Sequence, residues 1–495
     1  MLKKKKIGFF ELLDSTMGGK FLDECCGREF KKREFERWYK QTGEAGEIFP
    51  SQGLLKTPCD YLEYLGKTLM GEEELWGVVR VRRLMLELFN HPERIVVMEK
   101  LEARPFVPPS KVTSSIMDYT SNNGEAVAVG DVGAVVMGTD KPRRSRRKLL
   151  LAGTFVTLGK KVRIPFASGA MPDVFGAPAA LSTMAMCHGL AGVPMNGVFS
   201  EVVRQVDLVV ATFEFMRTEA LLAGRSDARA LLKRWRANIM GVVEPELLTG
   251  LARVRALYEV GVRCFRIYSP EPGTGVLEMV KKMRGIYGDR IEIFAGQVAS
   301  VDQAKRLEEA GADGLYVGIG GGGRCITAVR SGSVVDWPNL LWRMRGEVGI
   351  PVIVEGGASE HVGTTLLLGA TGIGVSRIAA GGTIESPGGL LYLVNRAGEW
   401  FKPYGGEASA RTKYQDGKML PLGVPAFVEG ETTKALKSFI THIKPTVAAN
   451  IYFLLEDLVL AMVFRGVATV QELQALDPSP LRRVTDSGQV AQRTH

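Results

Sequence analysis

The residues best suited to chemistry lie in a glycine-rich segment at 317–330, VGIGGGGRCITAVR. Five of the six residues from Gly318 to Gly323 are glycine, so the backbone can approach a ligand closely and turn successive polar groups towards it. Cys325 follows this loop, and the positive charge of Arg324 beside it favours the nucleophilic thiolate. The segment predicts a catalytic cysteine; the alternative is a flexible turn with a passive thiol.

A second group of polar residues follows two apolar runs between positions 352 and 377. Glu355 ends the first run and precedes Gly356 and Gly357, while Ser376 and Arg377 end the second. Two backbone amides, a hydroxyl and a guanidinium suit a phosphate dianion, and the Glu355 carboxylate is able to accept hydrogen bonds from a ribose diol. The alternative is a solvated acid beside a capped turn.

A third segment, 401–420 (FKPYGGEASARTKYQDGKML), is glycine-rich, polar and long for a loop. Such a loop is typical of a mobile lid over an active site. Glu407, Arg411, Lys413 and Tyr414 are its candidate acid and base groups. Taken alone, the segment would be interpreted as a solvated loop.

Met171 stands in a fourth segment, 165–173 (PFASGAMPD), which is interpreted as a first strand and its exit loop. Its thioether offers a polarisable surface for a planar ring. A methionine in such a place is more often part of a core, so Met171 carries weight only together with the other segments.

These residues need elements that bring them together, and the pattern from residue 150 onward predicts a (βα)8 barrel. Fully apolar runs separated by amphipathic helical stretches indicate parallel strands buried on both faces. A unit of helix end, Gly, small residue and strand recurs at 259–269, 309–319 and 367–377, with the glycine expected in a left-handed cap. The eight predicted strands are 164–168, 192–195, 238–242, 264–268, 291–295, 314–318, 351–354 and 372–375.

The bulk composition of the 495 residues, 45% apolar and 24% charged, is typical of a globular protein. The net charge of +9 comes partly from basic runs at 3–6 and 143–148, and no aromatic residues interleave them to indicate a nucleic-acid partner. The six cysteines lack a disulfide-framework spacing and no secretory segment follows the basic start, which predicts a reducing cytoplasm. The apolar run 451–464 contains two acids and is predicted to be too short and too charged to span a membrane.

Taken in order, these segments resemble the IMP dehydrogenase / GMP reductase family over about residues 150–490. The most specific match is GIGGGGRCITAVR, which is similar to the family's cysteine loop. Further matches are GQVAS at 296–300, ESPGG at 385–389, KPYGG at 402–406 and LRRVTDSG at 481–488. We therefore expect residues 111–490 to form the barrel, with a flap near 401–420, and residues 1–110 to form a mainly helical N-terminal extension of unknown role.

The resemblance implies that Cys325 attacks C2 of a purine nucleoside monophosphate, with Thr327 beside it to position water or a leaving group. In a dehydrogenase the hydride passes to NAD+, and water activated by a flap base releases XMP from the covalent thioimidate. In a GMP reductase, GMP loses ammonia and NADPH returns a hydride. The resemblance also implies a monovalent cation, K+, bound by the carbonyls of Gly320, Gly322 and Cys325.

The resemblance assigns binding roles to the other site positions and implies a homotetramer. The nucleotide is expected to contact Ser168, Met171, Gly323, Glu355, Gly356, Gly357, Ser376, Arg377 and Tyr404. The cofactor is expected to contact Ser269, Gln297, Gly318 and Gly320.

The chain departs from the family pattern at several of these positions. Tyr268 or Ser269 stands where the family has an aspartate near the nicotinamide, and Glu355 replaces the aspartate that binds the ribose. Gly323 and Arg377 replace small hydroxyl residues that usually touch phosphate, although Arg377 is able to compensate by its charge. The interval 198–236 is too short to hold the pair of CBS modules that most family dehydrogenases carry there.

The flap also differs, since the stretch between Tyr404 and Tyr414 is shorter than in typical dehydrogenases. The nearest match to the family's Arg-Tyr base pair is Lys413 with Tyr414, preceded by Arg411, and Glu407 resembles the flap glutamate of GMP reductases.

Four functions remain open from the sequence. IMP dehydrogenase is favoured by the ESPGG motif and the Cys-Ile-Thr triplet, and GMP reductase by the missing CBS pair, the short flap and Glu407. A nucleotide-binding barrel that has lost catalysis is the third reading, and an FMN-binding oxidoreductase barrel is the fourth.

Overall fold

The computed structural model describes residues 8–9, 72–113, 129–131, 143–269, 274–319, 331–387, 393–394, 400–403, 419–420, 424–425, 439–441 and 446–483. The described strands are β1 Val129–Asp131, β2 Val156–Leu158, β3 Lys161–Arg163, β4 Phe166–Ser168, β5 Ala191–Val193, β6 Ile239–Val243, β7 Cys264–Tyr268, β8 Glu292–Val298, β9 Gly314–Val317, β10 Val352–Val354, β11 Gly372–Val375, β12 Leu393–Val394, β13 Trp400–Pro403, β14 Met419–Leu420, β15 Val424–Pro425, β16 Phe439–Thr441 and β17 Leu481–Arg483. The described α-helices are α1 Glu72–Phe89, α2 Pro92–Glu102, α3 Arg146–Lys148, α4 Pro172–Phe175, α5 Pro178–Met186, α6 Val202–Arg217, α7 Ala228–Arg236, α8 Leu247–Glu259, α9 Gly275–Tyr287, α10 Val301–Glu309, α11 Trp337–Met344, α12 Val362–Leu368, α13 Arg377–Ala380, α14 Val447–Arg465 and α15 Val470–Gln474.

Eight parallel strands, β4 to β11, form a barrel. Their order in the sheet is β4-β11-β10-β9-β8-β7-β6-β5. The two ends of the sheet meet, because the Leu190 amide donates to the Phe166 carbonyl at 3.1 Å and the Ser168 amide donates to the Leu190 carbonyl at 2.7 Å. These strands are the eight predicted from the sequence, so the (βα)8 barrel is confirmed.

Glycines with left-handed backbone join helices to strands, as the recurring sequence unit predicts. Gly261, Gly311 and Gly369 have φ of 106°, 99° and 120°, a region that costs other residues steric strain. Each follows a helix end and leads within a few residues into β7, β9 or β11. The repeated unit therefore sets where each helix stops and the next barrel strand begins.

The β2–β3 hairpin lies at the amino end of the barrel. Arg163, in β3, is fully buried and donates to both Glu292 carboxylate oxygens at 2.8 and 3.0 Å, where β8 begins. It also donates to the Asn238 side chain and the Ala237 carbonyl, each at 2.9 Å, just before β6. One guanidinium thus ties the hairpin to the starts of two barrel strands.

The N-terminal helices α1 and α2 pack against the barrel rather than standing apart from it. The Arg82 guanidinium donates to the Thr183 hydroxyl of α5 and to Glu219 at 3.1 Å. The Trp235 indole of α7 donates to the Asn90 side chain at 2.9 Å, and that side chain donates in turn to the Met186 carbonyl at 3.0 Å. The helical character expected of the N-terminal extension is confirmed for residues 72–102.

We predict that Asn90→Ala lowers the free energy of unfolding by about 1–3 kcal/mol, because the buried Trp235 indole N–H loses its acceptor. Urea unfolding measured by tryptophan fluorescence checks this value. Arg255→Ala is the control, because Arg255 and Glu259 form an ion pair on the exposed surface of α8. An unchanged midpoint in Asn90→Ala would contradict a structural role for α1.

Contacts also cross the predicted domain boundary at residue 110. The Gly346 amide donates to the Pro109 carbonyl at 2.9 Å, and the Arg345 side chain donates to the Ser110 carbonyl at 2.9 Å. Just beyond this boundary, and within the predicted barrel domain, the Thr113 amide donates to the Asp477 carboxylate at 2.7 Å. The boundary itself stays a prediction.

Helix α14, Val447–Arg465, is longer than the apolar run seen in the sequence because it begins at Val447, capped by the Thr446 hydroxyl. Among the described residues it is the one helix whose length and composition would allow it to cross a membrane, and 56% of its apolar 18-residue stretch is buried in the fold. The prediction that this stretch is too short and too charged was wrong on those criteria. Its buried face packs against α1, α5, α12 and α13.

Candidate active site at the carboxyl end of the barrel

The described site residues gather at the carboxyl ends of the barrel strands. This end carries the active site in barrel enzymes, because the loops after the strands converge there. Ser168 ends β4, Gln297 lies at the end of β8, and Glu355 follows β10 directly. The other predicted site residues that the structure places at this end are Met171, Ser269, Gly318, Gly356, Gly357, Ser376 and Arg377.

Glu355 is held by two partners on other strands. The two terminal nitrogens of Arg266, in β7, donate to its two carboxylate oxygens at 2.8 and 2.6 Å. The Gln297 amide nitrogen donates to Glu355 Oε2 at 2.8 Å. The acid predicted to bind a ribose is therefore already part of a polar network across the barrel mouth.

The Arg266 side chain is only 1% exposed and lies in the barrel lumen. Its guanidinium carbon lies 3.8 Å from the ring centroid of Tyr316 in β9, and the Tyr316 hydroxyl reaches Met240 Sδ of β6 at 3.8 Å. In the sheet, β8 separates β7 from β9 and β10. Side chains of β7 therefore reach β9 and the end of β10 across the barrel lumen. Burial is the main cause that raises the pKa of Tyr316, so its hydroxyl stays protonated.

The Arg266–Glu355 pair is expected to persist when a ligand binds. Removing one partner of a buried ion pair costs about 3–5 kcal/mol, because the other charge is left uncompensated. A single hydrogen bond from a ligand to a charged group contributes about 1.5–3 kcal/mol. A sugar hydroxyl therefore adds to the pair rather than replacing it.

Two glycines make room for Glu355. An ideal Cβ at Gly374, in β11, would lie 2.6 Å from Glu355 Cγ, and one at Gly318 would lie 2.2 Å from the Glu355 carbonyl oxygen. Gly318 also has φ of 126°, which a side chain would strain. In β11 and directly after β9, the strands beside β10, glycine therefore occupies positions where a side chain would collide with Glu355.

The predicted phosphate loops also come together. Gly356 and Gly357 have φ of 82° and 85°, a left-handed pair that turns the chain sharply after Glu355. An ideal Cβ at Gly169 would lie 2.1 Å from Ser376 Oγ and 3.7 Å from Met171 Cγ. The residues that follow β4 therefore lie against those that follow β11. Met171, predicted to contact the base, and Ser376, predicted to contact the phosphate, are thus close to each other.

Ser168 has a structural contact in addition to its predicted role. Its hydroxyl is fully buried and accepts a hydrogen bond from the Gly192 amide at 2.7 Å, which joins β4 to β5. A contact between this hydroxyl and the nucleotide stays a prediction.

The reactive half of the predicted site lies outside the described residues. This half comprises Gly320, Gly322, Gly323, Cys325, Thr327, Tyr404, Glu407, Arg411, Lys413 and Tyr414. The loop that carries Cys325 leaves β9 at Ile319, and the Val335 amide, beyond the loop, donates to the Ile319 carbonyl at 3.0 Å. Both described flanks of the loop therefore lie at the carboxyl end of β9.

Two other cysteines, Cys187 and Cys264, are described, and both are buried at the amino end of the barrel. Cys187 follows α5 just before β5, and Cys264 begins β7. Burial is the main cause that raises the pKa of each thiol well above its usual value. Neither thiol is suited to nucleophilic attack.

Arg266 was missed in the sequence. The available signal was a single charged residue within the otherwise apolar and aromatic run Cys264–Tyr268. Such a residue is buried only with a partner, but the partner, Glu355, is 89 positions away.

The described residues contain no group of three or more His, Cys, Asp or Glu side chains arranged to hold a metal.

Comparisons with known proteins agree with this geometry. The family model for the IMP dehydrogenase / GMP reductase domain matches residues 146–495. An inosine-5'-monophosphate dehydrogenase of Aquifex aeolicus is 31% identical over 258 residues, which cover 50% of this chain and 49% of that protein. Inosine-5'-monophosphate dehydrogenase 1 of Arabidopsis thaliana is 35% identical over 178 residues, 34% of each chain, and the enzyme of Mycobacterium leprae is 37% identical over 141 residues, 27% of this chain and 26% of that protein.

The chain spans about half or less of the length of these curated relatives. The interval between β5 and β6, where the resemblance places CBS modules in most dehydrogenases, contains α6 and α7. The family model nevertheless covers more than two thirds of the 495 residues, including every strand of the barrel. The chain therefore belongs to the IMP dehydrogenase / GMP reductase domain family.

Proposed function

We propose that this protein is an oxidoreductase that converts IMP to XMP with NAD+ as the hydride acceptor. The observation that carries the proposal is the convergence of Glu355, Gly356, Gly357 and Ser376 at the barrel mouth, where the flanks of the Cys325 loop also lie. The match to relatives named inosine-5'-monophosphate dehydrogenase supports the same reaction.

We assign the phosphate and the ribose of the nucleotide to different residues. The phosphate binds to the backbone amides of Gly356 and Gly357 with Ser376 and Arg377, as a dianion at the end of the last two barrel strands. The ribose faces Glu355. Tyr404 and Gly323 complete the phosphate site.

The base is expected to lie over the Met171 thioether, with C2 towards Cys325. The Cys325 thiolate forms a bond to C2, which converts one difficult oxidation into two easier steps. After the C2 hydride has left for the acceptor that NAD+ would supply, water activated by the flap groups attacks C2; the carbon–sulfur bond then breaks and the thiolate is restored. Thr327 positions that water.

Gln297 and Ser269 provide the cofactor side of the site. The buried Gln297 Oε1 has no hydrogen-bond partner within the described part of the chain, and its amide nitrogen is already engaged by Glu355. A free buried acceptor at the mouth fits the carboxamide N–H of a nicotinamide. NAD+, when bound, supplies the acceptor for the hydride from C2. Gly318 and Gly320 complete this side, and K+ remains assigned to the loop carbonyls of Gly320, Gly322 and Cys325.

GMP reductase is the second candidate. The observation in its favour is that the interval between β5 and β6 contains two helices, consistent with the short interval expected of an enzyme without CBS modules. The short stretch between Tyr404 and Tyr414 and the flap residue Glu407 favour the same alternative.

One pair of assays separates the candidates. The protein is mixed with IMP, NAD+ and K+ while NADH absorbance is followed, and in parallel with GMP and NADPH while NADPH consumption is followed. We expect turnover in the first assay. Turnover in the second alone would establish the reductase, and tight nucleotide binding without turnover in either would establish a nucleotide sensor. A yellow purified protein would indicate FMN instead.

We further propose a cytoplasmic homotetramer. The compartment is supported by the two described cysteines, which are both free thiols, and the assembly by the family resemblance alone. Light scattering of the purified chain tests the assembly.

A further inference from the structure

We propose that Arg266 determines the sugar specificity of the nucleotide site. By engaging both oxygens of Glu355, it leaves that carboxylate able to accept one sugar hydroxyl and not two. A nucleoside monophosphate that lacks one particular ribose hydroxyl would then bind almost as well as its parent. This inference rests on the proposed function, because it assumes that Glu355 faces the ribose.

The acceptor count of Glu355 supports this limit. An ionised carboxylate offers about four acceptor positions, two on each oxygen. Oε2 accepts from Arg266 at 2.6 Å and from Gln297 at 2.8 Å, and Oε1 accepts from Arg266 at 2.8 Å. One position on Oε1 remains, and the side chain is 19% exposed, so a ligand can reach it.

The network cannot easily rearrange to free a second position. Arg266 is 1% exposed and lies against the face of Tyr316, so it has no route to solvent if Glu355 turns away. Glu355 Cγ fits against Gly374, where an added Cβ would come within 2.6 Å. Gln297 is 9% exposed and is anchored through the same carboxylate. The three side chains therefore hold one another in place.

The charge of Arg266 acts in the same direction. A carboxylate paired with a guanidinium attracts a hydroxyl less strongly than an unpaired carboxylate does, because its negative charge is already compensated. The sugar is thus recognised by a single weakened hydrogen bond at this acid.

The test is calorimetric binding of IMP, 2′-deoxy-IMP and 3′-deoxy-IMP to the full chain without cofactor, so that it does not depend on turnover. For the wild-type chain we expect one analogue to bind within about threefold of IMP and the other more weakly. Arg266→Met frees one acceptor position on each carboxylate oxygen, while Gln297 still donates to Oε2. Each analogue should then bind about tenfold to a hundredfold more weakly than IMP, the strength of a hydrogen bond to a charged acceptor.

Gln297→Leu provides a second test that leaves the buried ion pair intact. It frees one position on Oε2, so it should also make binding sensitive to both hydroxyls. Arg284→Met is the control, because Arg284 pairs with Asp313 at 2.6 Å near the start of β9, at the amino end of the barrel. The control should leave the ratios of the three affinities unchanged.

The outcomes separate the two levels of the proposal. Wild-type protein that binds IMP but loses affinity for both analogues would overturn the sugar inference alone. The same holds if both Arg266→Met and Gln297→Leu keep the wild-type ratios while binding IMP. Wild-type protein that binds none of the three nucleotides would overturn the proposed function and this inference with it.

Discussion

Cys325→Ala is expected to lower kcat for IMP oxidation by about a thousandfold or more, because removing a covalent nucleophile removes the two-step route altogether. Nucleotide binding should survive, since Glu355, Gly356 and Ser376 belong to other strand ends. Steady-state assays with IMP and NAD+ give the loss in turnover, and calorimetry with IMP alone gives the retained affinity.

Cys187→Ala is the matched control for that variant. Its thiol is buried at the amino end of the barrel and its raised pKa keeps it protonated, so turnover should stay close to the wild-type value. Mass spectrometry of protein quenched during turnover should show an adduct on the peptide that contains Cys325 and none on the one that contains Cys187. Full activity in Cys325→Ala, or an adduct elsewhere, would rule out the thiolate mechanism.

The sequence predicts the barrel well because its signals are local. Gly261, Gly311 and Gly369 each mark a helix end within a few residues of a buried strand, and the structure places all three in left-handed caps. Three of the four chemical segments, those at 165–173, 317–330 and 352–377, could be assigned to strand exits for the same reason. Once eight parallel strands close into a barrel, their exits converge without any further information.

What the sequence does not predict depends on contacts between distant positions. Arg266 is an isolated charge in an apolar strand, and only the closed barrel brings it together with Glu355, which in turn accepts a hydrogen bond from Gln297. The docking of α1 is similar, since the Asn90 side chain meets Trp235 across 145 positions. Local periodicity identifies each of these helices and strands but gives no information about which buried polar groups pair.

The largest effect on stability is expected at the opposite end of the barrel, at the Arg163–Glu292 pair. Both side chains are buried, at 0% and 7% exposure, and lie 2.8 Å apart. Burial alone would lower the pKa of Arg163, but the charge and hydrogen bonds of Glu292 outweigh it and the net pKa is raised. Arg163 therefore stays charged, and its stabilisation depends on the acid.

Glu292→Gln is expected to lower the free energy of unfolding by about 3–5 kcal/mol, because it leaves the Arg163 guanidinium buried without a countercharge. Urea unfolding followed by circular dichroism measures the change. Arg255→Ala is the control, since the Arg255–Glu259 pair lies on an exposed helix face and should contribute little.

A double variant, Arg163→Met with Glu292→Leu, distinguishes the charge from the packing. If the uncompensated charge is the cause, the double variant should be more stable than Glu292→Gln, because both charges leave the core together. Recovery should be incomplete, since the Asn238 side chain and the Ala237 carbonyl lose the donor that Arg163 provides. A double variant less stable than Glu292→Gln would show instead that Arg163 acts mainly as a hydrogen-bonding clamp between the hairpin and β6.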